Sequence, residues 1–128
     1  MTASHDFIAF VQELFAPLGG VSLRRMFGGA GIYCRGVMFG LVVDDTIYLK
    51  ADEESRKAFE AHGCGPYVYR ANGKPVVMSY WQMPAELVDD ADEALVWARR
   101  ALGVARLAKA AVPPPSRRAA LSAGRRRR

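Results

Sequence analysis

The sequence predicts an α+β domain: one antiparallel sheet of about five strands with helices on one face, forming a two-layer sandwich. Short runs of apolar and β-branched residues follow one another through short connections, and helical stretches divide these runs into groups. Asn72-Gly73 joins two of the later runs. This dipeptide favours a two-residue hairpin, because both residues tolerate positive φ. The predicted element order is α-β-β-β-α-β-β-α.

A first helix is expected to begin near Ser4, whose side chain can cap it. Pro17 and the Gly19-Gly20 pair end it. Apolar side chains at helical spacing predict its buried stripe, formed by Phe7, Val11, Leu14 and Leu18.

Strands are expected next at residues 31–35, 37–43 and 46–50, with an extended segment at 21–27 that can add a short extra strand. In the 37–43 run, strict alternation places Val37, Phe39, Leu41 and Val43 on one side and Met38 and Val42 on the other. A half-exposed antiparallel sheet alternates apolar with polar residues. Apolar residues on both sides therefore predict that the second face is covered too, by a wrapped helix or by another subunit.

The second half of the chain predicts a helix, a hairpin and a long helix. Asp52 can cap a helix that runs to about His62. Residues 66–71 and 75–81 flank Asn72-Gly73 as the hairpin strands. Pro84 begins the final helical region, whose early acidic and late basic residues complement the helix dipole.

The charge of the chain is unevenly distributed. The 128 residues carry a net charge of +5, but residues 112–128 contain six arginines and no acidic residue. Residues 1–111 then hold 12 basic and 13 acidic residues, a net charge of −1. We expect a folded domain at 1–111 and a disordered, Pro/Arg-rich basic tail at 112–128.

No apolar run approaches the ~18 residues that a membrane span needs. The N-terminus lacks the basic region of a signal peptide. We therefore expect a soluble cytoplasmic protein in which Cys34 and Cys64 are free thiols.

The segment Gly28-Gly29-Ala30-Gly31 has two interpretations. Glycines can bring backbone N–H groups close to a phosphate. A phosphate-binding loop also needs Gly-Lys-Ser/Thr leading into a helix, whereas these glycines lead into a strand. A tight turn or bulge in the sheet is therefore favoured.

Catalytic and metal sites are not predicted. His62 and Cys64 lie two residues apart, which falls short of the paired spacing of zinc ligands. Ser79 and Cys34 have no base near them in sequence. No cofactor and no small-molecule substrate is indicated.

Several segments together resemble the N-terminal domain of the TfoX/Sxy family of competence regulators. The matching segments are Arg25-Met26-Phe27-Gly28-Gly29 with Gly31-Ile32-Tyr33, Val37-Met38-Phe39-Gly40-Leu41, Tyr48-Leu49-Lys50-Ala51-Asp52, Pro66-Tyr67, and Met78-Ser79-Tyr80-Trp81 with Pro84. The resemblance implies a two-layer domain similar to secretion-chaperone-like folds, with no catalytic residues. Longer members carry a second, helical domain and act in transcriptional control of DNA uptake. In this chain the arginine-rich segment follows instead.

The function expected from these observations is that of a non-enzymatic protein-interaction domain in transcriptional regulation, binding a protein partner or a second copy of itself. Candidate partner-binding residues are Arg24, Arg25, Tyr80 and Trp81, although solvated side chains at a strand end remain the simpler interpretation of the two arginines. The alternative is a nucleic-acid-associated protein that binds phosphates through its tail. The tail residues in question are Arg117, Arg118, Arg125, Arg126, Arg127 and Arg128.

Overall fold

The computed structural model describes residues 4–26 and 28–111. The tail predicted at 112–128 lies outside the described residues. Three helices and six strands occur in the described ranges, with 3₁₀ turns at Ala16–Leu18 and Ala85–Asp89. They are α1 (His5–Phe15), β1 (Val21–Met26), β2 (Gly29–Cys34), β3 (Val37–Val43), β4 (Thr46–Lys50), α2 (Arg56–Ala61), β5 (Pro66–Ala71), β6 (Lys74–Gln82) and α3 (Ala91–Ala111).

The six strands form one antiparallel sheet in the order β1-β2-β3-β4-β6-β5. This confirms the α+β class and the hairpin-helix-hairpin order. The sheet has one strand more than the sequence suggested, because residues 21–26 pair with β2 along their whole length. The extended segment before the glycines is thus a full edge strand.

Two-residue turns connect the hairpins. Arg35-Gly36, Asp44-Asp45 and Asn72-Gly73 have positive φ at both positions, between 50° and 84°. Such turns match the right-handed twist of the flanking strands. The hairpin at Asn72-Gly73 is therefore confirmed.

The glycine segment at residues 28–31 begins with a turn at Gly28 and continues as the first residues of β2. Gly28 has φ +79° in the connection between β1 and β2. A Cβ atom on Gly29 would lie 2.3 Å from the carbonyl oxygen of Val42. That distance leaves no room for a side chain, so Gly29 allows β2 to pair closely with β3. The turn interpretation of this segment is confirmed.

A β-bulge interrupts the pairing of β2 with β3. Ile32 lies opposite Gly40 and Tyr33 lies opposite Met38, so Phe39 is an extra residue on β3. An extra residue leaves two consecutive positions of the strand directed towards the same face. A Cβ atom on Gly40 would meet the Ile32 side chain at 3.0 Å, which places this position on the buried face beside Phe39.

The bulge corrects the predicted faces of β3. Phe39 and Val42 both belong to the buried core. Met38, Leu41 and Val43 lie together on the opposite face, where they line one groove. Strict alternation had separated Met38 from Leu41 and Val43, and that assignment was wrong because the strand gains one residue at Phe39.

The core lies between the sheet and the helices α1 and α3. The rings of Phe15 on α1 and Phe39 on β3 meet edge to face, with centroids 5.8 Å apart. Small residues on α3 bring that helix close to β3 and β4. They are Ala94, Ala98, Ala101 and Ala105, all buried.

Two short polar motifs begin the helices. The Ser4 hydroxyl accepts a hydrogen bond from the backbone N–H of Phe7, as expected for an N-cap. Before α2, Asp52 and Ser55 exchange backbone-to-side-chain hydrogen bonds of 2.7 and 3.0 Å. The bond from the Ser55 backbone N–H is the main reason that the pKa of Asp52 is lowered. The helix itself starts later than predicted, at Arg56.

Both cysteines are free thiols. In the described part of the chain, no helix has the length and apolar character required to span a membrane.

We predict opposite effects for alanine at two glycines. Gly29→Ala must move β2 away from β3 and should lower the free energy of unfolding by about 2–4 kcal/mol. Gly103→Ala is the matched control, because Gly103 is helical and exposed, and, apart from its chain neighbours and the backbone of its own helix, no atom lies within 4 Å of the place that its added methyl group would take. It should raise the free energy of unfolding by about 0.5–1 kcal/mol. Urea unfolding followed by tryptophan fluorescence measures both, and equal stability of the two variants would contradict the close approach.

Candidate docking face of the sheet

The outer face is defined here as the face of the sheet opposite α1 and α3. All five tyrosines of the chain contribute to it. Tyr33 and Tyr48 alternate along their strands with core residues, and Tyr80 alternates with Trp81 in the same way. Tyr67 and Tyr69 line its groove. Tyrosine combines an apolar ring with a polar hydroxyl and is enriched at protein interfaces for that reason.

A groove of about 230 Å³ crosses the outer face. Its lining is almost wholly apolar and consists of Met26, Gly29, Ala30, Met38, Leu41, Val43, Tyr67, Tyr69 and Met78. Met26 belongs to one edge strand of the sheet and Tyr69 to the other. The sheet therefore curves around this face and brings both of its edges to one concave surface.

Gly31 gives the groove its methionine lining. A Cβ atom on Gly31 would lie 3.0 Å from the methyl of Met26 and 3.0 Å from the sulfur of Met38. It would also lie 2.9 Å from the ring of Tyr33. The absent side chain leaves space that these three neighbours occupy. Methionine is flexible and polarizable, so such a lining can adapt to different apolar side chains.

The distal hairpin, residues 68–77, extends the apolar surface beyond the end of β4. β4 pairs with β6 only from Lys50 to Tyr48, and the distal part of β6 pairs with β5 alone. Val68 and Val77 form one cross-strand pair, and they are 46% and 67% exposed. Tyr69 and Val76 form the next pair, and they are 44% and 42% exposed. Adjacent pairs point to opposite faces, so this hairpin is apolar on both sides.

Basic side chains lie over the tyrosines of the outer face. The Arg24 guanidinium is 5.0 Å from the centre of the Tyr33 ring. The Lys50 ammonium is 5.1 Å from the centre of the Tyr80 ring and donates a 2.6 Å hydrogen bond to the Ser79 hydroxyl. Both are cation–π geometries. Burial, with a smaller effect of Tyr33, raises the pKa of Tyr80.

A second depression adjoins the groove and shares Met38 with it. Tyr33, Lys50 and Tyr80 line its sheet side, and the end of α3 supplies Lys109. The apolar groove thus passes directly into a surface of tyrosine rings and ammonium groups.

The structure separates the four candidate partner-binding residues into two pairs. Arg24 and Tyr80 lie on the outer face. Arg25 follows Arg24 on β1 and therefore lies on the side of Leu23, which packs against the core. Trp81 packs towards the helices, with its ring centroid 6.3 Å from that of Phe59. The candidate tail arginines lie outside the described residues.

Sequence reasoning did not identify the groove as a site. Its three methionines, Met26, Met38 and Met78, come from three strands that are far apart in the chain. The available signal was the excess of large side chains at Tyr67, Tyr69 and Met78, which indicated a covered second face without showing its shape. The concave shape depends on the curvature of the sheet.

Other protein groups lie close to both cysteine thiols and to His62. The Cys34 thiol is buried and donates to the carbonyl oxygen of Gly19 at 3.1 Å. Burial, with a smaller effect of Glu86, raises the pKa of the Cys64 thiol. His62 lies 3.5 Å from the Glu86 carboxylate. Across residues 4–26 and 28–111, no group of three or more His, Cys, Asp or Glu side chains is arranged to hold a metal ion.

Comparison with known proteins identifies relatives for most of the domain. The sequence model of the TfoX N-terminal domain matches residues 13–105. Protein Sxy of Escherichia coli (strain K12) is 29% identical over 76 residues, which cover 59% of this chain and 36% of that protein. The DNA transformation protein TfoX1 of Aliivibrio fischeri (strain ATCC 700601 / ES114) is 29% identical over 96 residues, covering 70% and 44%. The chain thus spans less than half the length of both relatives.

We predict that stability falls at alkaline pH through the outer-face tyrosines. Burial, followed by the charges of Tyr67 and Asp44, raises the pKa of Tyr48 above 10.0, and the pKa of Tyr80 is also raised. A raised pKa favours the neutral phenol in the folded state. The resulting stabilisation is complete below pH 10.0 and is lost as pH rises through the folded-state pKa values.

Urea unfolding from pH 8 to pH 11 measures this loss. The variant with Tyr48→Phe and Tyr80→Phe should lose less stability over that interval, because phenylalanine does not ionise. Tyr69→Phe, which removes one hydroxyl from the same face, serves as the control. An identical pH dependence in the double variant and the wild type would contradict the assignment.

Proposed function

The chain belongs to the TfoX N-terminal domain family, and on this basis we propose that it is a non-enzymatic protein-interaction domain that acts in transcriptional regulation in the cytoplasm. One relative is named a DNA transformation protein. The resemblance to competence regulators implies transcriptional control for the longer members of the family. The part shared with them here is the domain that carries the outer face.

The observation that carries the proposal is the apolar outer face itself. Helices α1 and α3 cover one face of the sheet, while the groove and the distal hairpin leave large apolar side chains accessible on the other. Burying a Val, Leu or Met side chain contributes roughly 1.5–3 kcal/mol. A contiguous surface of this kind is therefore a site where a partner gains binding energy.

The shape of the face indicates how a partner binds. The groove receives apolar side chains, because methionine, leucine and valine line its floor. The distal hairpin can pack against the same partner through Tyr69 and Val76, which lie on the outer-face side. A two-stranded hairpin is marginally stable by itself, so contact with a partner also stabilises this hairpin.

We predict that a charge placed in the groove abolishes the regulatory activity. Met38→Lys introduces an ammonium group among apolar side chains and should block docking, since burying an unpaired charge is costly. Val96→Lys is the matched control, because Val96 is 53% exposed on α3, away from the outer face. In the bacterium that carries the gene, RNA sequencing should show the same transcript changes for Met38→Lys as for deletion of the gene. Val96→Lys should match the wild type.

Folding and abundance must be equal in the two variants, as checked by circular dichroism and by immunoblotting. Sedimentation equilibrium then identifies the class of partner. If a second copy occupies the groove, the wild type is a dimer and Met38→Lys is a monomer; if a different protein does, both are monomers. Wild-type transcript levels in a folded, abundant Met38→Lys strain would refute the proposal.

Nucleic-acid binding through the tail is the second candidate, supported by six arginines without an acid at 112–128 beside a domain of net charge −1. We predict that the full chain binds duplex DNA with a slope of log K against log salt of up to about −5, since each neutralised phosphate contributes about −0.9. Replacing the six tail arginines by serine should abolish this binding. Replacing Arg99 and Arg106 of α3 by serine is the control and should leave it intact. Unchanged binding after the tail replacement would exclude this function.

A further inference from the structure

The six strands carry charge of one sign. They contain five basic residues and no acidic residue, while all 13 acidic residues of the chain lie in helices, turns and connections. The five are Arg24, Arg25, Lys50, Arg70 and Lys74. Residues 1–111 as a whole have a net charge of −1, so the sheet and the remainder of the domain are oppositely charged.

Three of these five basic residues, Arg24, Lys50 and Lys74, lie on the outer face, which carries the groove. Arg24 lies two residues before Met26 on the same side of β1 and is positioned over Tyr33. Lys50 lies over Tyr80, in the depression that Tyr33 also lines. Lys74 lies in register with the outer-face residues of β6, at the end of the distal hairpin. Cationic groups therefore occur on β1, β4 and β6, on the face of the sheet that carries the apolar groove.

Asp44, in the turn between β3 and β4, lies near this face, since its charge contributes to the raised pKa of Tyr48. Asp45 of the same turn accepts a hydrogen bond from the Ser4 backbone N–H at 2.9 Å and is directed towards the start of α1. Asp52 and Glu53, before α2, line a depression with Met78 and Ser79. The strands of the outer face thus carry basic residues and no acid, and the acids near the face lie in these two connections.

We propose that the outer face binds an acidic amphipathic segment of a partner protein. The apolar side chains of that segment occupy the methionine-lined groove, and its carboxylates lie against Arg24 and Lys50. This inference rests on the proposed function, in which the outer face docks a protein, and it specifies the chemistry of the partner. Charge complementarity across an interface steers association and excludes wrongly charged partners.

The size and lining of the groove favour protein side chains over a small ligand. Pockets for small molecules are typically about 300–1,000 Å³ and contain a few placed polar groups. This groove is smaller, about 230 Å³, and its side chains are apolar apart from the hydroxyls of Tyr67 and Tyr69. Methionine-lined grooves accept the apolar stripe of an amphipathic helix, whose anchors recur at i, i+3, i+4 and i+7.

The same features disfavour single-stranded nucleic acid as the occupant. Bases are recognised by stacking on open aromatic faces and by hydrogen bonds to their edges. The rings of Tyr48 and Tyr67 pack against each other at 5.2 Å with a tilt of 57°, which gives no parallel platform for a base. Leu41, Val43 and Met78 supply no hydrogen bonds to a base edge.

Selection from a random library of 16-residue peptides tests the proposal without a known partner. Peptides displayed on phage are selected on the full chain after depletion on the Met38→Lys variant, so that peptides bound by the arginine-rich tail are removed. The enriched peptides should be rich in Asp and Glu and should carry apolar residues at helical spacing. The most enriched peptide is then synthesised with a fluorescent label for measurement of Kd.

Charge reversal at one outer-face residue and at one control residue measures how much the basic side chains of the outer face contribute to peptide binding. Arg24→Glu should weaken binding of this peptide about tenfold or more, whereas Arg106→Glu, an equal change on the exposed side of α3, should leave Kd within about twofold. Replacing the acidic residues of the peptide by lysine should weaken binding to the wild type and restore binding to Arg24→Glu. Circular dichroism confirms that both variants are folded.

The outcomes separate this inference from the proposed function. Enrichment of neutral or basic peptides that still depend on Met38 overturns the acidic partner but leaves the protein-docking face in place. A library with no enrichment, or one enriched equally on Met38→Lys, overturns both. A sixteen-residue thymidine oligonucleotide that displaces the peptide and itself depends on Met38 would show that the face binds nucleic acid, and it would overturn both as well.

Discussion

The pairing of β2 with β3 is the constraint on which the rest of the structure depends. Gly29 lets the backbones approach until no side chain fits beside the Val42 carbonyl, and the bulge at Phe39 then shifts the alternation of β3 by one residue. Because of that shift, Phe39 and Val42 enter the core while Met38 and Leu41 face outward. The hydrophobic core and the docking groove are therefore fixed by the same local irregularity, and neither can be rearranged without the other.

The sequence predicts the features that depend on local chemistry. Asn72-Gly73 determines its hairpin because both residues adopt positive φ, and Ser4 caps α1 through its own hydroxyl. The bulge gives no comparable signal, since residues 37–43 are apolar on both sides and an extra residue leaves this pattern unchanged. Gly40 was the available indication, because a glycine within a strand often marks a bulge.

The candidate site likewise has a part that could be predicted from the sequence and a part that could not. Adjacent residues of a strand point to opposite faces, so Arg24 and Arg25, or Tyr80 and Trp81, cannot share one surface, and this could have been inferred from the sequence alone. The groove could not, because it brings together residues from both edges of a curved sheet. Six of the positions that carry the family resemblance nevertheless line it: Met26, Gly29, Met38, Leu41, Tyr67 and Met78. The resemblance therefore extends to the outer face as well as to the core.

The basic residues on the strands have two explanations, which are protection of the sheet against aggregation and recognition of a partner of opposite charge. Edge strands and exposed apolar sheets are protected from aggregation by charged residues, and Arg24 on β1 and Arg70 on β5 provide this protection. Edge protection accounts for Arg24 and Arg70 on the edge strands, but Lys50 lies on β4, inside the sheet. The absence of Asp and Glu from all six strands of a domain that is slightly acidic overall is not explained by protection alone. A partner that carries the opposite charge accounts for the basic residues of the outer face, because they then both prevent self-association and select what binds there.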